Sequence, residues 1–284
     1  MRTTALLLVF VLLSAITKAQ KPVPFKFKYL PIHTYGITKK IGMSMKAHVQ
    51  DLSINTNKKS DTTVTLELTT ELSATVKTKA ISAGSFPVTL FGDNYSVKTT
   101  FNGVEAPAPE ANPFSGLAVN GKIDSKGELL LDTVGAENAI KYAMNQLISG
   151  MAERLEFPDK PMKIGDTFTQ QANLNAMNIP DLGIDSDYPT SVTYKLIAVK
   201  DNLAYFDIIS EFKMIIDKEV QGKTVKIDGK GTGTGKMEFF VNKGYPKSIV
   251  NNVGYVLDVE ASTMKAAVKF NMNTDANYAV NSGD

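Results

Sequence analysis

From Thr63 to Ala80 the chain alternates without a break between a dry row and a wet one. The even positions are Val64, Leu66, Leu68, Thr70, Leu72, Ala74, Val76, Thr78 and Ala80; the odd positions carry only Thr, Ser, Glu and Lys. A period of two held for so long is the mark of a β-strand with one apolar and one solvated face. At about 3.3 Å per residue such a strand spans about 60 Å, several times the usual length. Twist accumulates along a strand of that length, so the expected fold is mainly β: a large curved antiparallel sheet, apolar on its concave side.

The first 19 residues read as an export signal rather than as part of the fold. Arg2 supplies a positive start, Ala5–Ile16 a run of 12 mostly apolar residues, and Thr17-Lys18-Ala19 a small-residue cleavage site. Twelve residues are too few to cross about 30 Å of hydrocarbon, and no later run approaches the 18 a transmembrane anchor needs. Without Arg2 and Lys18 the 31 basic residues fall to 29, against 29 acidic ones. That balance offers no support for nucleic-acid binding. There is no cysteine, which excludes disulfides, zinc–thiolate sites, thiol nucleophiles and a lipid-bearing N-terminal cysteine. Stability then rests on a large core, and about 265 residues can hide roughly three quarters of their unfolded surface.

The remaining elements read as hairpins around one helix. Phe25–Leu30 alternates as a first strand, and Met43–Gln50 as a second that pairs with the long strand across a polar turn at 55–61. Phe86–Phe91 and Tyr95–Phe101 form a hairpin around Gly92-Asp93-Asn94; the proline-bearing stretch 104–114 reads as a loop. Leu117–Ile123 and Glu128–Leu131 pair across a turn ending in Gly127. Ala136–Phe157 is the one convincing helix, with Ile140, Met144, Leu147, Met151 and Leu155 along a single stripe. After a loose segment at 173–189, Ser191–Lys200 and Leu203–Asp217 make a hairpin whose second strand turns Phe206 and Phe212 to the same face. Residues 235–241 and 245–251 make another, and 253–260 with 262–272 complete the sheet. The domain plan is therefore a signal at 1–19, one β-rich domain at 20–272 and a frayed polar tail at 273–284. Equal spacing of Gly116 to Gly127 and Gly233 to Gly244 hints at a duplication of 25–133 in 161–272, which would give two similar half-sheets joined by the helix; turn reuse explains the spacing equally well.

Chemistry-bearing motifs are scarce. Of the two histidines, His48 falls opposite the methionines and reads as solvated, and His33 has no companion. Asp181, Asp185 and Asp187 depart from a calcium-loop pattern. The run Gly-Lys-Gly-Thr-Gly-Thr-Gly at 229–235 lacks the Gly-Lys-Ser/Thr order of a phosphate loop and reads as a strand that a neighbour approaches closely. There is no Gly-x-Ser-x-Gly elbow to anchor a hydrolase triad. No catalytic residue, metal or cofactor is assigned. What remains is methionine. Met43, Met45, Met144, Met151, Met214, Met264 and Met272 fall on inward rows, where unbranched polarisable side chains either fill a core or adapt to a lipid-like partner.

The signal ending in Lys18-Ala19-Gln20, the hairpin Gly121-Lys-Ile-Asp-Ser-Lys-Gly127, the helix after it, Pro161-Met-Lys-Ile-Gly-Asp166, the glycine-rich strand and the Asn242-Lys-Gly244 turn together resemble uncharacterised secreted β-rich proteins of Gram-negative bacteria. That resemblance implies a periplasmic or surface location and no particular activity. In shape alone, a sheet closing over a helix is also similar to periplasmic lipoprotein carriers, from which no residue can be transferred. Two functions follow. One is a non-enzymatic extracytoplasmic protein binding an apolar small molecule or lipid between sheet and helix, over Met144, Leu147, Met151, Phe206 and Phe212. The other is an envelope structural or interaction module with a filled core that meets another envelope protein. An unrecognised hydrolase is a distant third.

Overall fold

The computed structural model describes residues 21–51, 61–82, 84–107, 116–125, 127, 129–132, 155–173, 189–220, 223–261 and 264–282. Twelve strands form one open antiparallel sheet: β1 (His33–Asp51), β2 (Asp61–Thr78), β3 (Phe86–Phe101), β4 (Val104–Glu105), β5 (Ala118–Ile123), β6 (Leu129–Leu131), β7 (Thr167–Asn173), β8 (Pro189–Lys200), β9 (Leu203–Val220), β10 (Lys223–Phe240), β11 (Tyr245–Ala261) and β12 (Met264–Ser282). Their order is β6-β5-β3-β2-β1-β12-β11-β10-β9-β8-β7, with β4 paired to the far end of β3. Neighbours in the sheet are neighbours in the chain, except where β5 pairs with β3 past β4 and at the centre. There β1 pairs with β12 from His33↔Ser282 to Asp51↔Met264, and this seam joins the two halves of the chain. The two outermost strands, β6 and β7, are short, which limits the unpaired edge each exposes.

The alternation at 63–80 is realised in β2. Its even row faces the apolar side in register with β1, with Leu68 opposite Met43, Leu66 opposite Met45 and Val64 opposite Ala47. Burial along the row is uneven. Leu72, Ala74, Val76 and Thr78 are buried, whereas Val64, Leu66 and Leu68 are only half-buried.

Several expectations are corrected. Phe25–Leu30 is not a strand of the sheet. Its alternation is real, but the segment crosses the apolar face as a cover, tied by a bridge between Val23 and Met162 and by Lys28 N–H donating to the Gly244 carbonyl at 2.8 Å. The hairpin expected at 86–101 is one strand, because Gly92-Asp93-Asn94 forms a bulge opposite Ser73/Ala74, and Asp93 instead accepts from the Thr75 hydroxyl at 2.8 Å. The half-sheets are continuous through β1–β12. The tail is not frayed over 273–282, since Thr274, Ala276, Tyr278 and Val280 continue the apolar row of β12 against β1. Of the helix expected at 136–157, residues 136–154 lie outside the described residues, and Leu155, Glu156 and Phe157 are irregular chain.

The apolar face carries three clusters. The first lies at the 35/76/280 end of the central strands, around Tyr29, Tyr35, Leu90, Val119 and Tyr245. The second, beside it on β8–β10, gathers Phe25, Leu155, Met162, Phe168, Leu196, Phe206 and Phe239. The cover segment spans both: Phe25 stacks on Phe157 at 5.3 Å between ring centroids, and Phe27 and Tyr29 lie 5.2 and 5.4 Å from Tyr245. Gly244 has to be glycine here. Its φ is +68°, and a Cβ would stand 2.7 Å from the Lys26 carbonyl oxygen of the crossing segment. The third cluster, at the opposite end, holds Phe212, Met214, Ile216, Ile227, Val253, Tyr255, Leu257 and Phe270.

Candidate functional site

The pairing registers define cross-strand rows on the apolar face between the covered end and the third cluster. From β9 to β2 one row reads Phe212, Gly231, Tyr255, Phe270, Met45, Leu66; the next reads Ser210, Gly233, Val253, Met272, Met43, Leu68. On the β9–β11 side these rows are sealed. Gly229, Gly231 and Gly233 leave β10 bare, and Leu257, Tyr255 and Val253 of β11 lean over it; the Tyr255 ring occupies the place of a Gly231 Cβ. Phe212 meets Tyr255 edge-on at 5.2 Å, and Tyr255 lies 5.6 Å from Phe270. The close approach expected along 229–235 is thus made by β11 side chains. On the β12–β1–β2 side the rows stay open among the described residues. Met43, Met45, Val64, Leu66, Leu68, Val268 and Met272 are half-buried, and Met43, Met45, Val268 and Met272 pack beside the third cluster. They form an apolar lane about three strands wide.

Polar residues bound the lane toward the covered end. The next row reads Gly235, Asn251, Thr274, Ile41, Thr70, and the one after it Phe206, Met237, Ile249, Ala276, Lys39, Leu72. Asn251 Oδ1 is buried and has no hydrogen-bond partner among the described residues; the Ser210 and Thr190 hydroxyls on the sealed side share that condition. Lys39 stands between Leu72 and Ala276, both buried, in line with Tyr35, Ile37, Ile41 and Met43.

The polar face is a field of charge. Lys40 pairs with Glu71 at 2.6 Å and Lys247 with Glu238 at 2.6 Å, and in each case the carboxylate raises the lysine pKa. Lys265 meets Glu260 at 2.8 Å and lowers the pKa of that carboxyl. One row carries four lysines and no acid, with Lys213 opposite Lys230 and Lys269 opposite Lys46 on either side of Val256.

Of the residues singled out in the sequence, Phe206 and Phe212 share the apolar row of β9 but not a cluster. Phe206 is sealed among Phe25, Phe157 and Phe168 at the covered end; Phe212 forms the base of the open end. Met144, Leu147 and Met151 lie outside the described residues, as do Asp181, Asp185 and Asp187. His48 is exposed on the polar face beside Asp61 at 2.9 Å. His33 sits about 50 Å along the same strand, its Nδ1 2.7 Å from the Pro31 carbonyl. Among the described residues no three His, Asp or Glu side chains gather to hold a metal. Sequence reasoning passed over Lys39, although its signal was legible as a lysine in phase with Tyr35, Ile37, Ile41, Met43 and Met45.

No protein-family model matches the chain, and no curated protein matches it. Among solved structures, the chain is similar to lipovitellin, described for its lipid–protein interactions, with a TM-score of 0.47 and 10% identity over 90% of this chain; it spans 26% of the lipovitellin chain. It is also similar to the outer membrane protease OmpT from Escherichia coli, with a TM-score of 0.24 and 8% identity over 90% of this chain and 98% of that one. An outer membrane channel from Pseudomonas putida F1 follows at 0.17 and 6%, covering 89% and 98%.

Proposed function

We propose that this protein is an exported, non-enzymatic binder of an apolar or lipid-like chain, which lies on the open end of the apolar face over Met43, Met45, Leu66, Leu68, Val268 and Met272. The observation that carries this reading is the contrast between the two ends of one sheet. Where the cover segment crosses, the apolar rows are dry. Where it does not, the β12–β1–β2 part of the rows carries half-buried Met43, Met45, Leu66, Leu68, Val268 and Met272 beside the buried aromatics Tyr255 and Phe270. Contiguous apolar surface of that kind marks an interaction site, and unbranched methionines suit a partner of irregular shape. A hydrophobic lane backed by a rigid sheet needs no catalytic group to act, because burial of an acyl chain at about 25 cal/mol per Å² supplies the binding energy. The signal-like start supports export to the periplasm or cell surface.

The test is uptake. Purified protein titrated into a fluorescent fatty acid should raise and blue-shift its emission saturably, and native mass spectrometry of protein taken from the producing cells should show a lipid-sized adduct. A clean apo mass with no fluorescence change would defeat the proposal and favour an envelope interaction module instead.

A further inference from the structure

Away from the far ends of the strands, where Asp51, Lys218 and Lys223 continue the same registers, Lys39 is the one charged residue on the apolar rows of the six central strands. The rows run Tyr35–Val49 on β1, Val64–Thr78 on β2, Ala266–Val280 on β12, Ile249–Ala261 on β11, Val225–Phe239 on β10 and Ala204–Ile216 on β9, and every other member is apolar, Gly, Ser, Thr or Asn. Lys39 is half-buried, directly between Leu72 and Ala276, and no carboxylate pairs with it among the described residues. By contrast Lys40, its neighbour on the opposite face, is matched with Glu71. An ammonium on an apolar surface is costly unless water or an anion meets it. A lysine can cover apolar surface with its stem while its head reaches solvent, and Lys39 sits one row from Ile41, where the open lane begins.

We infer that the ligand is a long-chain carboxylic acid, its carboxylate on the Lys39 ammonium and its tail along the lane toward Met45; this rests on the binding role proposed above. The dimensions agree. From Ile41 to Met45 and Ala47 the lane runs about 13–20 Å, and one acyl chain fills about half of a 30 Å hydrocarbon core. The order of chemistry also agrees. Next to Lys39 come the hydroxyls of Thr70 and Thr274 on either side of Ile41, and beyond them as far as Ala47 only Met, Leu, Phe, Val and Ala. A single positive charge matches a single negative head group, and a charge-assisted hydrogen bond in a partly dry setting is about twice as strong as a neutral one.

The experiment measures affinities of the full chain for oleate and for oleyl alcohol at pH 8, by displacement of a fluorescent probe, in wild type, Lys39→Gln, Lys39→Arg and Lys40→Gln. The expected result is that wild type binds oleate about tenfold more tightly than the alcohol. Lys39→Gln should lose that preference with alcohol affinity unchanged, while Lys39→Arg and Lys40→Gln keep it. Should Lys39→Gln not fold, the arginine variant and the salt dependence of wild type decide: added salt should weaken oleate and leave the alcohol alone. Equal oleate affinity in wild type and Lys39→Gln would overturn the head-group assignment while leaving apolar binding intact. So would oleate binding that is indifferent to salt, as expected if a carboxylate of this chain already neutralises Lys39. Failure of wild type to bind either compound would overturn the binding role itself, and the assignment with it.

Discussion

Tyr35 and Tyr245 pack with ring centroids 4.9 Å apart, and neither is exposed at all. One comes from β1 in the first half of the chain, the other from β11 in the second. Tyr29 of the cover segment closes the group at 5.1 Å from Tyr35. The contact therefore ties β1 and the cover segment just before it to β11, far away in sequence, at one end of the central seam. Replacing Tyr245 with Ala should cost about 3–5 kcal/mol, the range for removing a large buried aromatic. Urea unfolding checks this; a loss under 1 kcal/mol would show that the seam does not depend on the aromatic group.

The same tyrosines set a limit at high pH. Burial raises Tyr29, Tyr35 and Tyr255 from 10 to about 12 and pushes Tyr245 well above its ordinary value. A phenol whose pKa is higher folded than unfolded contributes stability that is complete below pH 10 and is lost as pH rises from 10 through about 12. The urea midpoint should hold steady up to about pH 9 and fall steeply between 10 and 12. Tyr255→Phe should flatten that fall, and an equal fall in that variant would point to other groups.

Gly231 and Gly36 should respond oppositely to alanine. A Cβ at Gly231 would enter the Tyr255 ring and stand 2.7 Å from the Gly254 carbonyl oxygen, so the strand or the ring must shift. Gly231→Ala should destabilise by about 1–3 kcal/mol, as overpacking does. At Gly36 the nearest atom is Ala279 Cβ, in ordinary contact at 3.8 Å, so Gly36→Ala should be neutral or slightly stabilising. Thermal melts of the two variants give the comparison.

The basic row of the polar face should be improvable. Lys46 lies directly opposite Lys269, and like charges in that position oppose pairing. Lys46→Glu should gain about 0.5 kcal/mol at low ionic strength, and the gain should fade as salt is added. A gain that does not respond to salt would have another origin.

The long sheet could be read in the sequence because alternation at 63–80 has only one physical reading, and partner rows such as Met43, Met45 and Ala47 repeat it. What escaped was whatever depends on non-local contact. Phe25–Leu30 alternates as a strand does, but a cover segment that buries one side needs the same pattern. Only the carbonyl of Gly244 and the rings of Phe157 and Tyr245 distinguish the two. Gly92-Asp93-Asn94 has turn composition, and a bulge uses the same residues. Phe206 and Phe212 share a row, yet what lies over each is set by residues 25, 157 and 168 at one end and by β11 at the other. Lys39 was in plain view. Its position in an apolar register mattered only once the neighbouring rows proved to carry no other charge away from their far ends.

Photoaffinity labelling with a diazirine-bearing fatty acid, mapped by peptide mass, tests most directly whether the open end of the apolar face takes an acyl chain. Label should concentrate on the apolar rows of 41–47, 64–68 and 268–272 and be displaced by unlabelled oleate. Label spread over the polar face, or undiminished by competitor, would contradict it.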